Sequence, residues 1–399
     1  MPFVPAEVFA DRQRRVREFL AEHDYKALLV TDPDHFYMLT GFHLDVAPWE
    51  RSVAAVIPSE GGPFLIMNEL STHHLLMARE RGSLHVADYA LYVEHPRAVN
   101  RTYTRDRWLQ LLAAKLRAWG GFRRGRLAAD RISAFRGLRA QLPGLSEFGS
   151  ASRFLVEMRQ VKYPQELEIM RQAAALTDWG QDRYMESVRP GMLVTELDLE
   201  IARRMAVEGA ARLPQDRLEV RVWSLSGAAS ASPHGTGADC GARFEKGDGV
   251  VNIIIVRLSG LVVENERTLF LGGPRSDIQR RAYTAATEAN LAAIEKFVAG
   301  TPVAEADAAA QRVIEQHGFG DHIMHRTGHG MGIAGHEFPE DMAFNYRPMV
   351  ENEVYSCEPG VYVYGVGGFR QDDTVIVGKT APEVITHRSK RLEDQIVRV

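Results

Sequence analysis

Two cysteines in 399 residues, Cys240 and Cys357, are too few for a disulfide framework, and neither belongs to a CxxC pair. Both read as reduced and buried, which suits a cytoplasmic protein. A basic excess is missing too. The 48 Lys and Arg stand against 52 Asp and Glu, a net charge of -4, so the chain has no electrostatic footprint for nucleic acid. The basic run Phe122-Arg123-Arg124-Gly125-Arg126 reads as a solvated face. No apolar stretch of about eighteen residues occurs, and the opening segment through Arg15 carries Glu, Asp and Arg where an export signal needs an apolar run. Neither a membrane span nor a secretory leader is expected. Repeats and low-complexity tracts are also lacking. What is present is a 45% hydrophobic chain long enough for two domains with substantial cores.

The first half alternates. Val8, Phe9, Val16, Phe19 and Leu20 recur at helical spacing, and Ala27 to Thr31 reads as a buried strand ending at Asp32-Pro33. Strands over 53–57 and 64–67 interleave with helices over 73–81 and 107–119, the pattern of an α/β domain. The aromatic run from His35 to Phe42 reads as core. Trp49 and Arg51, in Ala47-Pro48-Trp49-Glu50-Arg51, read instead as an exposed contact surface. Arg159 to Lys162 marks a boundary, giving domains 1–159 and 160–399. Past it, amphipathic helices over 164–186, 194–208, 276–298 and 304–317 are expected to cover the outer face of a curved antiparallel sheet.

That sheet centres on two β-prone segments, Val250 to Val256 and Leu261 to Phe270, joined across Ser259-Gly260. Strand alternation puts Glu264 and Glu266 on one face and Asn265 and Arg267 on the other. A buried carboxylate must be paired or hydrogen-bonded, so two on one interior face point either to a structural ion pair or to a pocket for a cationic or proton-demanding substrate. Other polar residues share the setting. His234 follows the small-residue loop Ser226 to Pro233, His329 lies in Gly328-His329-Gly330-Met331-Gly332, and His336-Glu337 come soon after. Glu358 stands in Glu358-Pro359-Gly360-Val361-Tyr362, and Asp372-Asp373 lead a strand. His73-His74, His322 and His325 read as surface or structural.

Taken in order, these motifs resemble the pita-bread fold of methionine aminopeptidase, prolidase and creatinase, and the first half looks like the smaller α/β domain of the prolidase and creatinase branch. The resemblance implies an α/β fold class: a creatinase/prolidase-like domain followed by a pita-bread domain. The metallopeptidases of that family hold two metal ions with two Asp, one His and two Glu. At those positions this chain offers Asn252, Glu264, His329, Glu358 and Asp372, and hard cations favour the carboxylate that Asn252 lacks. No metal and no cofactor is therefore expected. The same departures look like creatinase, a metal-free amidinohydrolase with a Glu-Arg-Thr-Leu-Phe strand, a His after a Ser-Gly loop, and an aromatic-x-Arg pair reaching in from the partner subunit.

An amidine carbon is a poor electrophile, so its hydrolysis needs a held cation, an activated water and a protonated leaving nitrogen. Glu266 and Glu358 can anchor the cation, His234 can shuttle the proton, and Glu264 can act as base or nucleophile. Trp49 and Arg51 can stack on the amidinium and grip a carboxylate, with Asn252, His329, His336 and Asp372 as further substrate contacts. Similarity to ectoine hydrolases implies ring opening of ectoine, a small zwitterionic amidine, to N-acetyl-2,4-diaminobutyrate, by a homodimer whose sites are completed by the partner's N-terminal domain. A deacetylase partner would accompany it. Creatine hydrolysis, metal-dependent Xaa-Pro peptidase activity and a noncatalytic binding role are the alternatives.

Overall fold

β-Branched and aliphatic runs set the strands of the first unit. The computed structural model describes residues 4–93, 107–119, 122–214, 217–235, 241–337 and 342–399, and Cys240 lies outside them. The chain divides after Met158 into two compact units. In the first, β1 (Tyr25–Val30), β2 (Ala54–Pro58), β3 (Phe64–Asn68), β4 (Asp88–Tyr92), β5 (Gly125–Ala129) and β6 (Leu145–Ser150) form one sheet in the order β4-β3-β2-β1-β5-β6. The β1–β2 and β2–β3 pairs are antiparallel, whereas β3–β4, β1–β5 and β5–β6 are parallel. Leu29, Val56, Ile66, Leu112 and Leu127 fill the core on one face. The aromatic run expected as core is the helix Pro33–Thr40, started by the Asp32 carboxylate, which accepts from the backbone N–H of Asp34 and His35.

The second unit contains the long hairpin. Here β7 (Leu218–Ser226), β8 (Gly249–Leu258), β9 (Leu261–Leu271), β10 (Val354–Cys357), β11 (Gly360–Val363), β12 (Gly367–Arg370), β13 (Asp373–Ile376), β14 (Glu383–Val384) and β15 (Ile396–Val397) form sheets ordered β15-β9-β8-β7, β10-β13-β14 and β11-β12. Strands β8 and β9 pair from Gly249 opposite Phe270 to Leu258 opposite Leu261. The turn between them needs two left-handed residues, Ser259 at φ 45° and Gly260 at φ 87°, and glycine supplies the second without a steric penalty.

Helices Pro164–Ser187, Val194–Arg212, Asp277–Ile294 and Val303–Gln316 occur where apolar periodicity placed them. Pro164 pre-sets the first turn of the longest, and the Glu166 carboxylate accepts from the Tyr163 N–H. The helix expected over 276–298 ends at Ile294, and the one expected over 194–208 runs on to Arg212. Ala282, Ala286, Ala289 and Ala293 give the Asp277–Ile294 helix a small-residue face, which lets it lie close to Phe297, Val361, Phe369 and Val375 in a shared core.

Candidate active site

Alternation on β9 sends its charged residues two ways. Asn265 faces the helices, its amide donating to Thr177 Oγ1 at 3.0 Å and to Asp178 Oδ1 at 2.9 Å. Arg267, on the same face, donates to Asp373 Oδ1 at 2.7 Å, and Lys390 reaches the other oxygen of Asp373 at 2.7 Å. Burial resists ionisation of Asp373, but the two cations overcome it and hold the carboxyl far below its usual range.

Glu264 and Glu266 face the other way, into a cavity of about 520 Å³ that His234, His329, His336, Glu358 and Arg370 also line. Arg370 is fully buried and is the hub of this cavity. Its guanidinium grips Glu266, with Nη2 3.0 Å from Oε1 and Nε against Oε2. Nη1 lies 3.8 Å from Glu358 Oε2 and 3.3 Å from the Tyr362 hydroxyl, which His325 Nε2 approaches to 2.7 Å. The backbone of Arg370 is held by Thr268, whose Oγ1 donates to the Arg370 carbonyl and accepts from its N–H, at 2.8 and 2.9 Å. Thr268 in the β9 motif is therefore a clamp for a residue 102 positions away.

His329 is placed by a close approach of two backbones. A Cβ on Gly328 would stand 2.0 Å from the Ser356 carbonyl, so only glycine lets this segment run beside β10. The His329 carbonyl accepts from Ser356 N–H at 2.9 Å, and the ring stacks on His336 at 3.6 Å between centroids. With Nδ1 3.0 Å from the Gly330 carbonyl, Nε2 is aimed between Glu264 Oε2 at 3.6 Å and Glu358 Oε1 at 3.5 Å. Burial pulls this imidazole down, but the two carboxylates outweigh it and raise its pKa to about 9. Burial lifts Glu266 to about 8 against the pull of Arg370, with Glu358 and Glu264 adding to the rise. Glu358 moves below its ordinary value, because Arg370 and His329 overcome the cost of burial.

Two expected substrate contacts lie elsewhere. Asn252 sits opposite Arg267 and so shares the helix-facing side of the sheet; its amide donates to Ser224 Oγ at 3.2 Å. One residue of register decides the face, and the cavity side of β8 carries Ile253 and Ile255 instead, opposite Glu266 and Glu264. Asp372 is wholly buried and absent from the cavity lining, accepting from Ser356 Oγ at 3.0 Å while its backbone bridges to Glu266. Burial first, then Glu266 and Glu358, push its pKa well up. Glu337 is structural, enclosed by Lys162 at 3.2 Å and Arg159 at 3.4 Å. Trp49 and Arg51 belong to the first unit, where Trp49 is 88% exposed and Arg51 Nη1 lies 2.7 Å from Glu50 Oε1.

Sequence reasoning assigned no role to Arg370 and read His325 as surface or structural, yet both belong to the network around Glu266. It also passed over Arg221 and Trp223 on the cavity wall, where the guanidinium lies 4.4 Å from the indole ring. The alternation of β7, continued outward from Trp223, would have indicated that pair.

Residues 168–379 match the family described as Metallopeptidase family M24, and residues 12–161 match the Creatinase/Prolidase N-terminal domain. The chain belongs to metallopeptidase family M24. It is 28% identical over 268 residues to the Xaa-Pro dipeptidase of Pyrococcus furiosus, covering 67% of this chain and 74% of that protein. Against the Xaa-Pro dipeptidase of Pyrococcus horikoshii it is 23% identical over 395 residues, 97% and 99% of the two chains. The crystal structure of dipeptidase PepE from Mycobacterium ulcerans superposes with a TM-score of 0.80 at 26% identity, covering 100% of both chains. The two-domain architecture is thus that of the creatinase/prolidase type, with an M24 pita-bread domain following the smaller α/β domain.

These likenesses correct the main functional expectation. Relatives matched along nearly the whole chain or over two thirds of it carry dipeptidase names, which goes with the peptidase alternative and against ectoine ring opening as an amidine hydrolase. The deacetylase partner is tied to that substrate and is not carried forward. The donors present do not suit a two-ion centre. The family positions supply Asn252 on the wrong face and a buried Asp372, Ile253 and Ile255 occupy the cavity side of β8, and Arg370 stands among the carboxylates. Among the described residues, no three His, Cys, Asp or Glu side chains converge as a metal-binding group. The donor set does not fit two ions.

Proposed function

We propose that this chain is a hydrolase of short peptides, of the Xaa-Pro dipeptide class. The observation that carries the reading is likeness to proteins named Xaa-Pro dipeptidase, one of them matched over 97% of the chain. The site has matching chemistry. A dipeptide is a small zwitterion, and the cavity sets a carboxylate-rich floor of Glu264, Glu266 and Glu358 against a wall carrying Arg221 and Arg257. The floor suits an N-terminal ammonium, and the wall suits a terminal carboxylate.

Each residue then has a task. Glu264, beside His329, takes the proton of the attacking water, and the His329 ring holds Glu264 and Glu358 in place. His234, exposed at the cavity, returns a proton to the departing nitrogen, while Glu266, held by Arg370, faces the substrate ammonium. Arg370 orients Glu266 and offers positive charge to a developing oxyanion. The chain works as a homodimer, with Trp49 and Arg51 of one copy closing the site of the other.

The test incubates the full chain with a panel of Xaa-Pro and non-proline dipeptides, with and without added Mn, Co or Zn, and reads amino-acid release by mass spectrometry. Release of proline from the Xaa-Pro members is expected. No release from any dipeptide under any condition overturns the reading.

A further inference from the structure

The cavity presents a charge problem that the family description does not solve. Glu264, Glu266 and Glu358 project into one cavity, with Asp372 buried behind them and bridged by backbone to Glu266. Uncompensated, these acids would repel one another at distances where a protein interior screens poorly. In a two-metal enzyme the ions themselves provide the compensation. Here a side chain does it. Arg370 pairs with Glu266 through two nitrogens and turns a third toward Glu358 at 3.8 Å, and His329 supplies a second positive group between Glu358 and Glu264.

From this we infer that the chain does not assemble a dinuclear metal centre: the Arg370 guanidinium permanently fills the electrostatic role of one of the two cations. Three features act together. The opposing strand presents Ile253 and Ile255 toward Glu266 and Glu264, so no carboxylate is available to bridge ions from β8. Asn252 turns its amide to Ser224 on the far side of the sheet. Arg370 is held in place: Thr268 clamps its backbone, Tyr362 receives Nη1, and the Pro233 carbonyl lies 3.4 Å from the same nitrogen. A second divalent ion entering beside Glu266 would have to displace a buried, multiply bonded cation of like charge.

This deepens the peptidase reading by describing its site, and it is tested without substrate, so the failure of one is distinguishable from the failure of the other. The purified full chain is equilibrated with excess Mn, Co or Zn, desalted, and assayed for metal by elemental analysis, with titration calorimetry of Mn as an independent count. Fewer than two ions per chain are expected for every metal, and two tightly held ions per chain overturn the inference. A variant probes the cause. Arg370→Met, which keeps much of the volume and removes the charge, is expected to bind Mn at least roughly tenfold more tightly than the natural chain. Unchanged or weaker Mn affinity in a folded Arg370→Met protein overturns the role given to the guanidinium. If that variant does not fold, the count on the natural chain still decides.

Discussion

Single side chains carry opposite consequences depending on which face of β9 they leave. Arg267 is buried and its charge is met by Asp373, so Asp373→Asn strands a cation in the core. That substitution is expected to lower stability by about 3–5 kcal/mol, read from urea unfolding of natural and variant chains. His234 is exposed at the cavity, so its removal should affect turnover more than folding, whereas Glu266→Gln also leaves the buried Arg370 with Glu358 at 3.8 Å as its nearest carboxylate and should cost stability as well. Glu266→Gln and His234→Ala are each expected to reduce kcat on an Xaa-Pro dipeptide by about 100-fold or more, with circular dichroism unchanged. Near-natural rates in both variants would require different catalytic groups. Of the residues singled out from sequence, His234, Glu264, Glu266, His329, His336 and Glu358 do meet at one cavity. They were legible because each sat in a short motif whose polarity was out of place in an apolar setting. Asn252 misled because a motif position states a residue type, whereas the side it faces depends on strand register.

Elements were legible where periodicity was strong and ended by a clear stop signal, as in the hairpin on either side of Ser259-Gly260 and the helix begun by Pro164. Arg370 was not, because its meaning arises from a pairing with Glu266 across 104 residues that no local pattern encodes. The close passage of Gly328 along β10 is likewise a fact of assembly. Gly328→Ala must push the two segments apart, and it is expected to destabilise the chain by about 1–3 kcal/mol and to lower activity through His329, with thermal melting and kinetics as the two readouts. A different junction joins β7 to the helix Val194–Arg212. There Asp198 accepts from Ser224 N–H and Oγ at 2.9 and 2.6 Å, and burial raises its pKa to about 6. The folded state therefore holds this proton more tightly than the unfolded chain. The associated stability is complete below the unfolded pKa and falls as pH rises to about 6, by about 3 kcal/mol at most. Asp198→Asn should flatten that segment of the stability profile, and an unchanged slope would place the titration elsewhere.

At the scale of the molecule, the proposed dimer makes its own prediction. Arg51→Ala and Glu266→Gln, each expected to lose most of its activity alone, are expected to regain part of it when the two proteins are unfolded together and refolded, since a mixed pair contains one site with both natural residues. Sedimentation should give a dimer for each. A monomer at working concentration, or mixtures as inactive as their components, would remove the shared-site arrangement. Among the described residues, no helix is long and apolar enough to cross a membrane.

Glu337 has a practical bearing on how the gene can be cut. Its carboxylate is enclosed by Arg159 and Lys162, which lie at the very start of the second unit. A truncation beginning at Arg159 keeps both counterions, whereas one beginning at Tyr163 discards them and leaves the Glu337 carboxylate and the apolar surface around it without their cationic cover. Four residues at the trimming point should separate a soluble fragment from an aggregating one.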